Sequence, residues 1–182
     1  LASNYLTNGG GDMSGVIELA EALKQNSSLV SLNVRENDLS HDEGAKCLTE
    51  ALAINQSLIS LDLESTALKV ESMKAIGHAL QTNTTLTTLS VRGNKVCVEG
   101  AKGFSMALAV NRSLTTLNMR YCGLDDNAVT HLLEGLKSNP SLHTLDLRGN
   151  CFNDAAKKAL RDAAAGRVTV WVEGHLTLAT TL

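Results

Sequence analysis

The 182-residue chain is poor in aromatic residues, which make up 3% of it, and it contains a single proline. It has no run of 18 apolar residues, and its N-terminus lacks both an initiator Met and a basic segment followed by an apolar one. These absences argue against a transmembrane helix and a secretory signal, so no membrane association is expected. A chain that begins without Met is expected to be a fragment of a longer protein.

Charge and cysteine content argue against two further classes. Sixteen Lys and Arg against 19 Asp and Glu give a net charge of −3, so the basic excess of a nucleic-acid-binding protein is missing. The four cysteines show no C-x-x-C spacing and are too sparse for a disulfide-stapled scaffold. We therefore expect free thiols in a reducing compartment, which favours a cytoplasmic location.

Signals for catalysis are weak. The glycine-rich residues 9–15 invite comparison with a phosphate-binding loop, but Val16 and Ile17 stand where such a loop needs Lys and Ser or Thr. The five histidines lack metal-ligand spacing with one another or with cysteine. We therefore predict that the chain is not an enzyme and has no metal, no cofactor and no small-molecule substrate.

Leucine, by contrast, is abundant, with 30 residues in 182. Comparison of the sequence with itself gives a period of 28 or 29 residues. Full units begin at Leu29, Leu58, Leu86, Leu114 and Leu142. Counting each of these leucines as position 0, every residue at positions 0, 3, 5 and 10 is apolar in all five units.

This pattern predicts a strand and a helix in each unit. Apolar residues at positions 3 and 5 between polar neighbours indicate a short strand with one buried face. Apolar residues then recur three or four apart, as in an amphipathic helix, over residues 44–52, 72–80, 100–108 and 128–136. Because each strand returns through a helix, the strands must be parallel and the crossovers right-handed. The predicted fold is α/β: a right-handed leucine-rich solenoid, or horseshoe, with strands on the concave face and helices on the convex face.

The period also sets the expected domain organisation. We assign residues 1–174 to the repeat domain, with a partial repeat at 1–28, full repeats at 29–57, 58–85, 86–113, 114–141 and 142–167, and a terminal strand at 168–172. Lys157 replaces an apolar residue of the earlier helices, which suits a C-terminal cap because an end repeat has no neighbour over its outer face. Residues 175–182 are expected to be a tail or an end cap.

Two polar columns are expected to have structural roles. Position 8 holds Asn37, Thr66, Asn94, Cys122 and Asn150, whose short side chains can bond to turn backbone. Asn26, Asn55, Asn83, Asn111 and Asn139 recur where each helix ends, which is typical of C-caps. The first four also begin N-x-[ST] sequons, and we favour the structural role over glycosylation because the repeat itself generates the sequon.

The pattern L-x-x-L-x-L-x-x-N-x-L followed by G-A-x-x-L-x-x-A-L-x-x-N resembles the ribonuclease-inhibitor type of leucine-rich repeat. Residues 44–52, Gly-Ala-Lys-Cys-Leu-Thr-Glu-Ala-Leu, resemble repeats of NOD-like receptor sensor domains. Alternation of Asn with Thr or Cys at position 8 is similar to the paired repeats of ribonuclease inhibitor. The resemblance covers residues 1 to about 172, and it implies a non-catalytic module that binds other proteins.

The concave face supplies the candidate binding residues, because side chains at positions 4 and 6 project from it and vary between units. The candidate protein-binding residues are Arg35, Asp62, Glu64, Arg92, Asn118, Arg120, Tyr121, Asp146, Arg148 and Trp171. Tyr, Trp and Arg are the usual hot-spot residues of protein interfaces. The alternative for Trp171 is that it only covers the end of the core.

Three arginines, Arg92, Arg120 and Arg148, lie on neighbouring strands about 4.8 Å apart. At about 5 Å, two like charges repel by roughly 1 kcal/mol in water and about 3 kcal/mol at an effective dielectric of 20. We expect neutralisation by Asp146 and Glu173 at one end and by Asp62 and Glu64 at the other, with Arg120 least provided for. Two interpretations stay open: a ladder of Arg and acid closed on itself, or an acidic patch on a protein partner.

The favoured function is therefore a protein-interaction module that binds a protein ligand on its concave face, as part of a larger sensor or scaffold. One alternative is a GTPase-activating protein of the RanGAP type, since such activators are built on similar repeats. The other is an architectural subunit of a large assembly that uses its convex helices, where Lys46, Lys74, Lys102 and Lys158 lie.

Overall fold

The computed structural model describes residues 1–164 and 166–173. Helices and strands alternate along them in the order α1 (Ser14–Gln25), β1 (Ser31–Asn33), α2 (Asp42–Ile54), β2 (Ser60–Asp62), α3 (Val70–Thr82), β3 (Thr88–Ser90), α4 (Cys97–Val110), β4 (Thr116–Asn118), α5 (Asp126–Ser138), β5 (Thr144–Asp146), α6 (Asp154–Ala164) and β6 (Thr169–Trp171). The expected tail or end cap at 175–182 lies outside the described residues. None of the helices described here is long and apolar enough to cross a membrane.

The six strands form one open parallel sheet in chain order, from β1 to β6. The register pairs equivalent repeat positions, so that Leu32 lies opposite Leu61 and Leu61 lies opposite Leu89. Each of β1 to β5 is followed by a helix before the next strand begins. The α/β leucine-rich solenoid predicted from the period is therefore confirmed.

The core lies between the sheet and the helices. All residues at positions 0, 3, 5 and 10 of the five units are buried except Leu29, which is 36% exposed. Leu29 departs from the prediction because residues 1–28 contribute no strand that would cover its side of the sheet. Complete burial of a leucine such as Leu61 or Leu89 stabilises the fold by about 2 kcal/mol.

Buried asparagines join successive units where the helices end. Asn55 Nδ2 donates to the carbonyl oxygens of Leu23 (2.8 Å) and Asn26 (3.1 Å), and its Oδ1 accepts from the backbone N–H groups of Ser57 and Leu58. The same arrangement recurs at Asn83, Asn111 and Asn139. These residues cap helices that end one residue earlier, so the C-cap prediction is confirmed.

The last unit replaces the asparagine with an arginine. Arg167 Nη1 donates to the carbonyl oxygen of Asn139 at 3.2 Å, where the earlier units use an asparagine amide. In α6, Lys157 forms ion pairs with Glu173 (3.2 Å) and Asp154 (3.7 Å). Lys157, the polar residue that replaces an apolar one of the earlier helices, thus forms a charged network at the end of the described solenoid.

The position-8 column bonds to the turns that follow the strands. Asn94 Nδ2 donates to the carbonyl oxygens of Leu63 (2.7 Å) and Val91 (3.0 Å), and its Oδ1 accepts from the N–H of Leu68 (2.9 Å). Cys122 replaces Asn in its unit and donates from Sγ to Val91 O at 3.3 Å. Burial raises the pKa of the Cys122 thiol to about 12, which keeps it protonated as a donor at neutral pH.

The central helices pack closely because glycines lie where they meet. A Cβ on Gly77 in α3 would lie 2.5 Å from the carbonyl carbon of Gly103 in α4. A Cβ on Gly135 in α5 would lie 2.5 Å from the carbonyl oxygen of Ser105 in α4. Any side chain at these positions would force the helices apart, so the spacing of α3, α4 and α5 depends on these glycines.

Candidate protein-binding surface

The backbone turns left-handed at position 7, immediately after the position-6 column. The φ angles are 56° at Glu36, 54° at Ser65, 70° at Gly93, 52° at Tyr121 and 74° at Gly149. Glycine adopts this conformation freely, whereas a residue with a Cβ loses about 1–2 kcal/mol there. Tyr121 is the one aromatic residue in this column, and strained residues of this kind cluster at functional sites.

Tyr121 keeps its side chain at the surface, where it is 52% exposed. Its ring lies against the backbone of Gly149, so closely that a Cβ on that glycine would collide with it. The guanidinium groups of Arg92 and Arg120 each lie 5.4 Å from the ring centroid. This is within the range of a cation–π contact, so one exposed ring holds two of the three arginines.

Arg92 and Arg148 are neutralised within the chain. Arg92 Nη1 lies 2.9 Å from a carboxylate oxygen of Glu64. Arg148 donates from Nε and Nη2 to the two carboxylate oxygens of Asp146, at 2.9 and 2.5 Å, and this pairing raises the pKa of Arg148. Its guanidinium also lies 4.9 Å from the ring centroid of Trp171. The closed-ladder interpretation therefore holds for these two arginines.

Arg120 is different. Within the described part of the chain it forms no ion pair, and its Nε is buried without a hydrogen-bond partner. Ser90, on the neighbouring strand β3, likewise has a buried Oγ without a partner. A buried polar group left unpaired costs about 1–3 kcal/mol. The centre of the concave face thus holds unused hydrogen-bonding capacity, as expected for Arg120 but not anticipated for Ser90.

The two outer acids do not serve the arginine row as expected. Glu173 instead binds Lys157 (3.2 Å) and Arg161 (3.3 Å) of α6, and the hydrogen bond from Lys157, followed by the charges of both cations, lowers its pKa. Asp62 forms no ion pair among the described residues, and its Oδ1 accepts from the backbone N–H of Glu64 at 2.9 Å. The chain turns toward α6 after β6, which removes Glu173 from the row.

The remaining predicted residues lie at the ends of the strands. Arg35 follows β1 and pairs with its neighbour Glu36 at 2.6 Å, a partner that the column pattern does not suggest. Asn118 ends β4, where its Oδ1 accepts from the N–H of Arg120 at 3.2 Å. The predicted binding residues therefore lie along one face of the sheet, and its centre is formed by Arg92, Arg120 and Tyr121.

Ser90 and Gly149 are two further parts of this centre that the repeat pattern does not single out. Ser90 is the only hydroxyl residue among the position-4 side chains of β1–β5, and Gly149 follows the last arginine of the row. No cluster of three or more His, Cys, Asp or Glu suited to a metal ion occurs in residues 1–164 and 166–173.

Comparison with known proteins gives a family and a shared fold. The family model described as "Leucine Rich repeat" matches residues 25–48, 82–105, 110–132 and 138–160, together just over half of the chain. No curated protein matches the chain in sequence.

Solved structures similar to the chain include the following two. The structure of "Leiomodin-1 Actin-Binding Site 2 (ABS2)" superposes with a TM-score of 0.65 at 23% identity, over 80% of this chain and 85% of that one. The tropomodulin C-terminal domain of Caenorhabditis elegans superposes with a TM-score of 0.67 at 15% identity, over 81% and 90%. At these identities the likeness concerns the fold, and the four family matches carry the assignment: the chain belongs to the leucine-rich repeat family.

Proposed function

We propose that this chain is a non-catalytic protein-interaction module that binds a protein ligand on its concave face. The observation that carries the proposal is Arg120, a cation without an ionic partner in the described chain, held beside the exposed ring of Tyr121, whose backbone is left-handed. A partner carboxylate facing Arg120 would neutralise this charge. The fold has no need of Tyr121 here, because glycine takes the same position in two other units.

The surroundings of this pair favour a protein over a small molecule as the ligand. Polar and charged side chains extend along the face from Arg35 to Trp171, over six strands about 4.8 Å apart. A surface about 25 Å long with a central Arg and Tyr has the dimensions and composition of a protein interface. The ion pairs Arg92–Glu64 and Arg148–Asp146 lie on either side of Arg120, in the units before and after its own.

We further propose that residues 1–174 form one domain of ribonuclease-inhibitor-type repeats, belonging to a larger sensor or scaffold protein. The period of 28 or 29 residues and the helix in every full unit support this type. Asn alternates with Thr or Cys at position 8, and both replacements bond to the same kind of turn carbonyl as Asn does. The resemblance to NOD-like receptor repeats rests on residues 44–52.

We propose a cytoplasmic location on two observations. All four cysteines are free thiols, as expected in a reducing compartment. Three sequon asparagines are buried, and each side-chain amide donates to two backbone carbonyls, so a glycan would break these bonds: Asn55, Asn83 and Asn111.

The test is a quantitative pull-down that compares three proteins. The variant Arg120→Glu/Tyr121→Gly alters the centre of the concave face, and Lys102→Glu makes the same change of charge on convex helix α4. A partner that the wild type captures, that is lost with the concave variant and retained with Lys102→Glu, supports the proposal. Loss with Lys102→Glu alone would instead support the architectural alternative, and retention by both variants would refute concave recognition.

Actin is the first defined partner to try, because the leiomodin-1 chain of the same fold is an actin-binding site. Cosedimentation with actin filaments, carried out with the same variants, gives a direct answer. Binding that depends on Arg120 and Tyr121 would identify actin as a ligand of the concave face. If the chain does not cosediment, actin filaments are excluded as its ligand, and the pull-down becomes the deciding experiment.

A further inference from the structure

We infer that the concave face holds a site for one carboxylate side chain of the partner protein, formed by the Ser90 hydroxyl, the backbone N–H of Arg92 and the Nε–H of Arg120. This inference rests on the proposed function and locates the partner's acidic group within the surface. The site lies where the position-4 column carries Ser90 in place of the Asn or Asp of the other full units. All three groups can donate a hydrogen bond, so the ligand must be an acceptor.

In the other four full units, the position-4 side chain binds the backbone two residues on. Its Oδ1 accepts a hydrogen bond of 2.9–3.2 Å from the N–H of the position-6 residue: Asn33, Asp62, Asn118 and Asp146.

Ser90 does not make this bond. Its Oγ is one bond closer to the backbone than an Oδ1, and it is buried without a partner. The backbone N–H of Arg92 likewise takes part in no hydrogen bond among the described residues. The exchange of Asn or Asp for Ser thus deprives this N–H of the oxygen that the other units supply from their own side chain. A carboxylate of the partner would supply the same kind of oxygen from outside.

Arg120 can reach this place from the neighbouring strand. Ser90 lies opposite Asn118 in the sheet, and Arg120 follows two residues later on the same face. The Cα atoms of Ser90 and Arg120 are therefore about 8 Å apart, and an arginine side chain is longer than the spacing between strands. Both residues are half-buried, and no ion pair in the described chain holds Arg120. Rotation of the Arg120 side chain can therefore uncover Ser90 and bring Nε to the same ligand.

Charge at the site favours a carboxylate over a neutral acceptor. Arg120 has no acid paired with it among the residues that the structure describes, whereas Arg92 is paired with Glu64. The acid nearest to Ser90 across the sheet is Asp62, whose Oδ1 accepts from the N–H of Glu64 at 2.9 Å. A carboxylate bonded directly to Arg120 lies closer to that cation than to Asp62, one strand spacing of about 4.8 Å from Ser90, so attraction exceeds repulsion. Hydrogen bonds between charged groups are also stronger than those between neutral ones.

The decisive variant is Ser90→Asn. Its Oδ1 should accept from the N–H of Arg92, as in the other units, and so occupy the place of the ligand oxygen. We expect the midpoint of urea unfolding to equal or exceed that of the wild type, while affinity for the partner falls roughly tenfold or more. The matched control Ser90→Ala removes one donor but leaves the N–H of Arg92 free, so its affinity should lie between those of the wild type and Ser90→Asn.

Three small probes identify the ligand class on the whole chain at constant ionic strength: acetate, acetamide and methyl phosphate. NMR follows the backbone N–H of Arg92 and the Nε–H of Arg120. We expect acetate to shift both signals along one saturation curve and to bind roughly tenfold more tightly than acetamide, which has the same shape without the charge. In Ser90→Asn the same acetate concentration should move neither signal.

Several results would overturn the inference and leave the proposed function intact. A shift of the Arg120 signal without one at Arg92, or unchanged affinity of Ser90→Asn for the partner, would overturn the three-donor site. Acetamide binding as tightly as acetate, or methyl phosphate binding more tightly, would overturn the carboxylate as the ligand. The proposed function fails only if the pull-down with Arg120→Glu/Tyr121→Gly retains the partner, a result that does not depend on Ser90.

Discussion

Substitution of Tyr121 is the sharpest test of the proposed binding surface, because the contributions of this residue to folding and to binding have different origins. Replacing it with glycine removes the strain of the left-handed conformation, which is about 1–2 kcal/mol for a residue with a Cβ. The same change removes two cation–π contacts of about 0.5–1 kcal/mol each at an exposed site. Glycine also gives the unfolded chain more conformational freedom, which lowers the stability of the folded state by up to about 1 kcal/mol. These terms nearly cancel, so the free energy of unfolding of Tyr121→Gly should stay within about 1 kcal/mol of the wild type.

Alanine at the same position separates strain from side-chain contacts. Tyr121→Ala loses the ring but keeps a Cβ in the left-handed conformation, where φ is 52°. It should therefore be about 1 kcal/mol less stable than Tyr121→Gly, the reverse of the order found in an ordinary helix or strand. Urea unfolding followed by circular dichroism measures both variants. The reasoning would be refuted if alanine proved as stable as glycine.

The effect on binding should be large in both variants. Loss of a central tyrosine in an interface typically costs about 2 kcal/mol or more, which corresponds to roughly 30-fold in affinity. The matched control is Ser65→Gly, which relieves the same strain (φ 54°) at another unit of the column. It should leave the affinity for the partner unchanged. If Ser65→Gly weakened binding as much as the Tyr121 variants do, the loss of affinity would come from the backbone conformation and not from the missing ring.

Three further predictions concern stability. Gly135→Ala should lower the free energy of unfolding by about 2–3 kcal/mol in urea, because its Cβ would lie 2.5 Å from Ser105 O. Asn111→Ala should cost about 2–4 kcal/mol by the same measurement, since two carbonyls and two N–H groups lose their partner. Glu173 has a lowered pKa in the folded chain, so its contribution is present above the unfolded value of about 4.3 and is lost as pH falls through the folded value. The difference in melting temperature between wild type and Glu173→Gln should therefore shrink between pH 6 and pH 3.

Each of these has a control in the chain. Gly11→Ala meets no atom closer than 3.5 Å and should be nearly neutral, so an equal loss there would refute the packing argument for Gly135. Asn26→Ala changes an exposed residue whose side chain only accepts hydrogen bonds, and it should cost less than Asn111→Ala. A melting difference for Glu173→Gln that does not depend on pH would contradict the ion pairs assigned to that carboxylate.

On the concave face, the internal pairing of Arg and acid accounts for two of the three arginines, and the proposed acidic partner concerns only the third. Arg92 and Arg148 belong to an internal network with Glu64 and Asp146, so their charges are already balanced. Arg120 forms no ion pair among the described residues, although it occupies the same repeat position as Arg92 and Arg148. We therefore expect the proposed partner to bind at the unit that contains Arg120. A uniform row of three free arginines would instead have favoured any acidic protein without regard to position.

The fold of this protein can be predicted from its sequence, because the pattern of buried residues that causes the fold is periodic. Apolar residues such as Leu61 and Leu89 recur once per unit, and only a stack of equivalent strands and helices buries all of them together. The capping role of Asn111 follows from the same repetition, since its position relative to the helix end is fixed by the period.

Which charged side chains form ion pairs follows only from the three-dimensional structure. An arginine side chain is longer than the spacing between strands, so several acids lie within reach of each one, and the sequence cannot select among them. The path of the chain after β6 takes Glu173 to α6, while the turn after β4 puts the Tyr121 ring 5.4 Å from the guanidinium groups of both Arg92 and Arg120. Burial is set by the repeated pattern of each unit, whereas ion pairing depends on the path of each side chain, within one unit for Arg148 and Asp146 and between units for Arg92 and Glu64. Among the described residues, those paths leave Arg120 without an ionic partner.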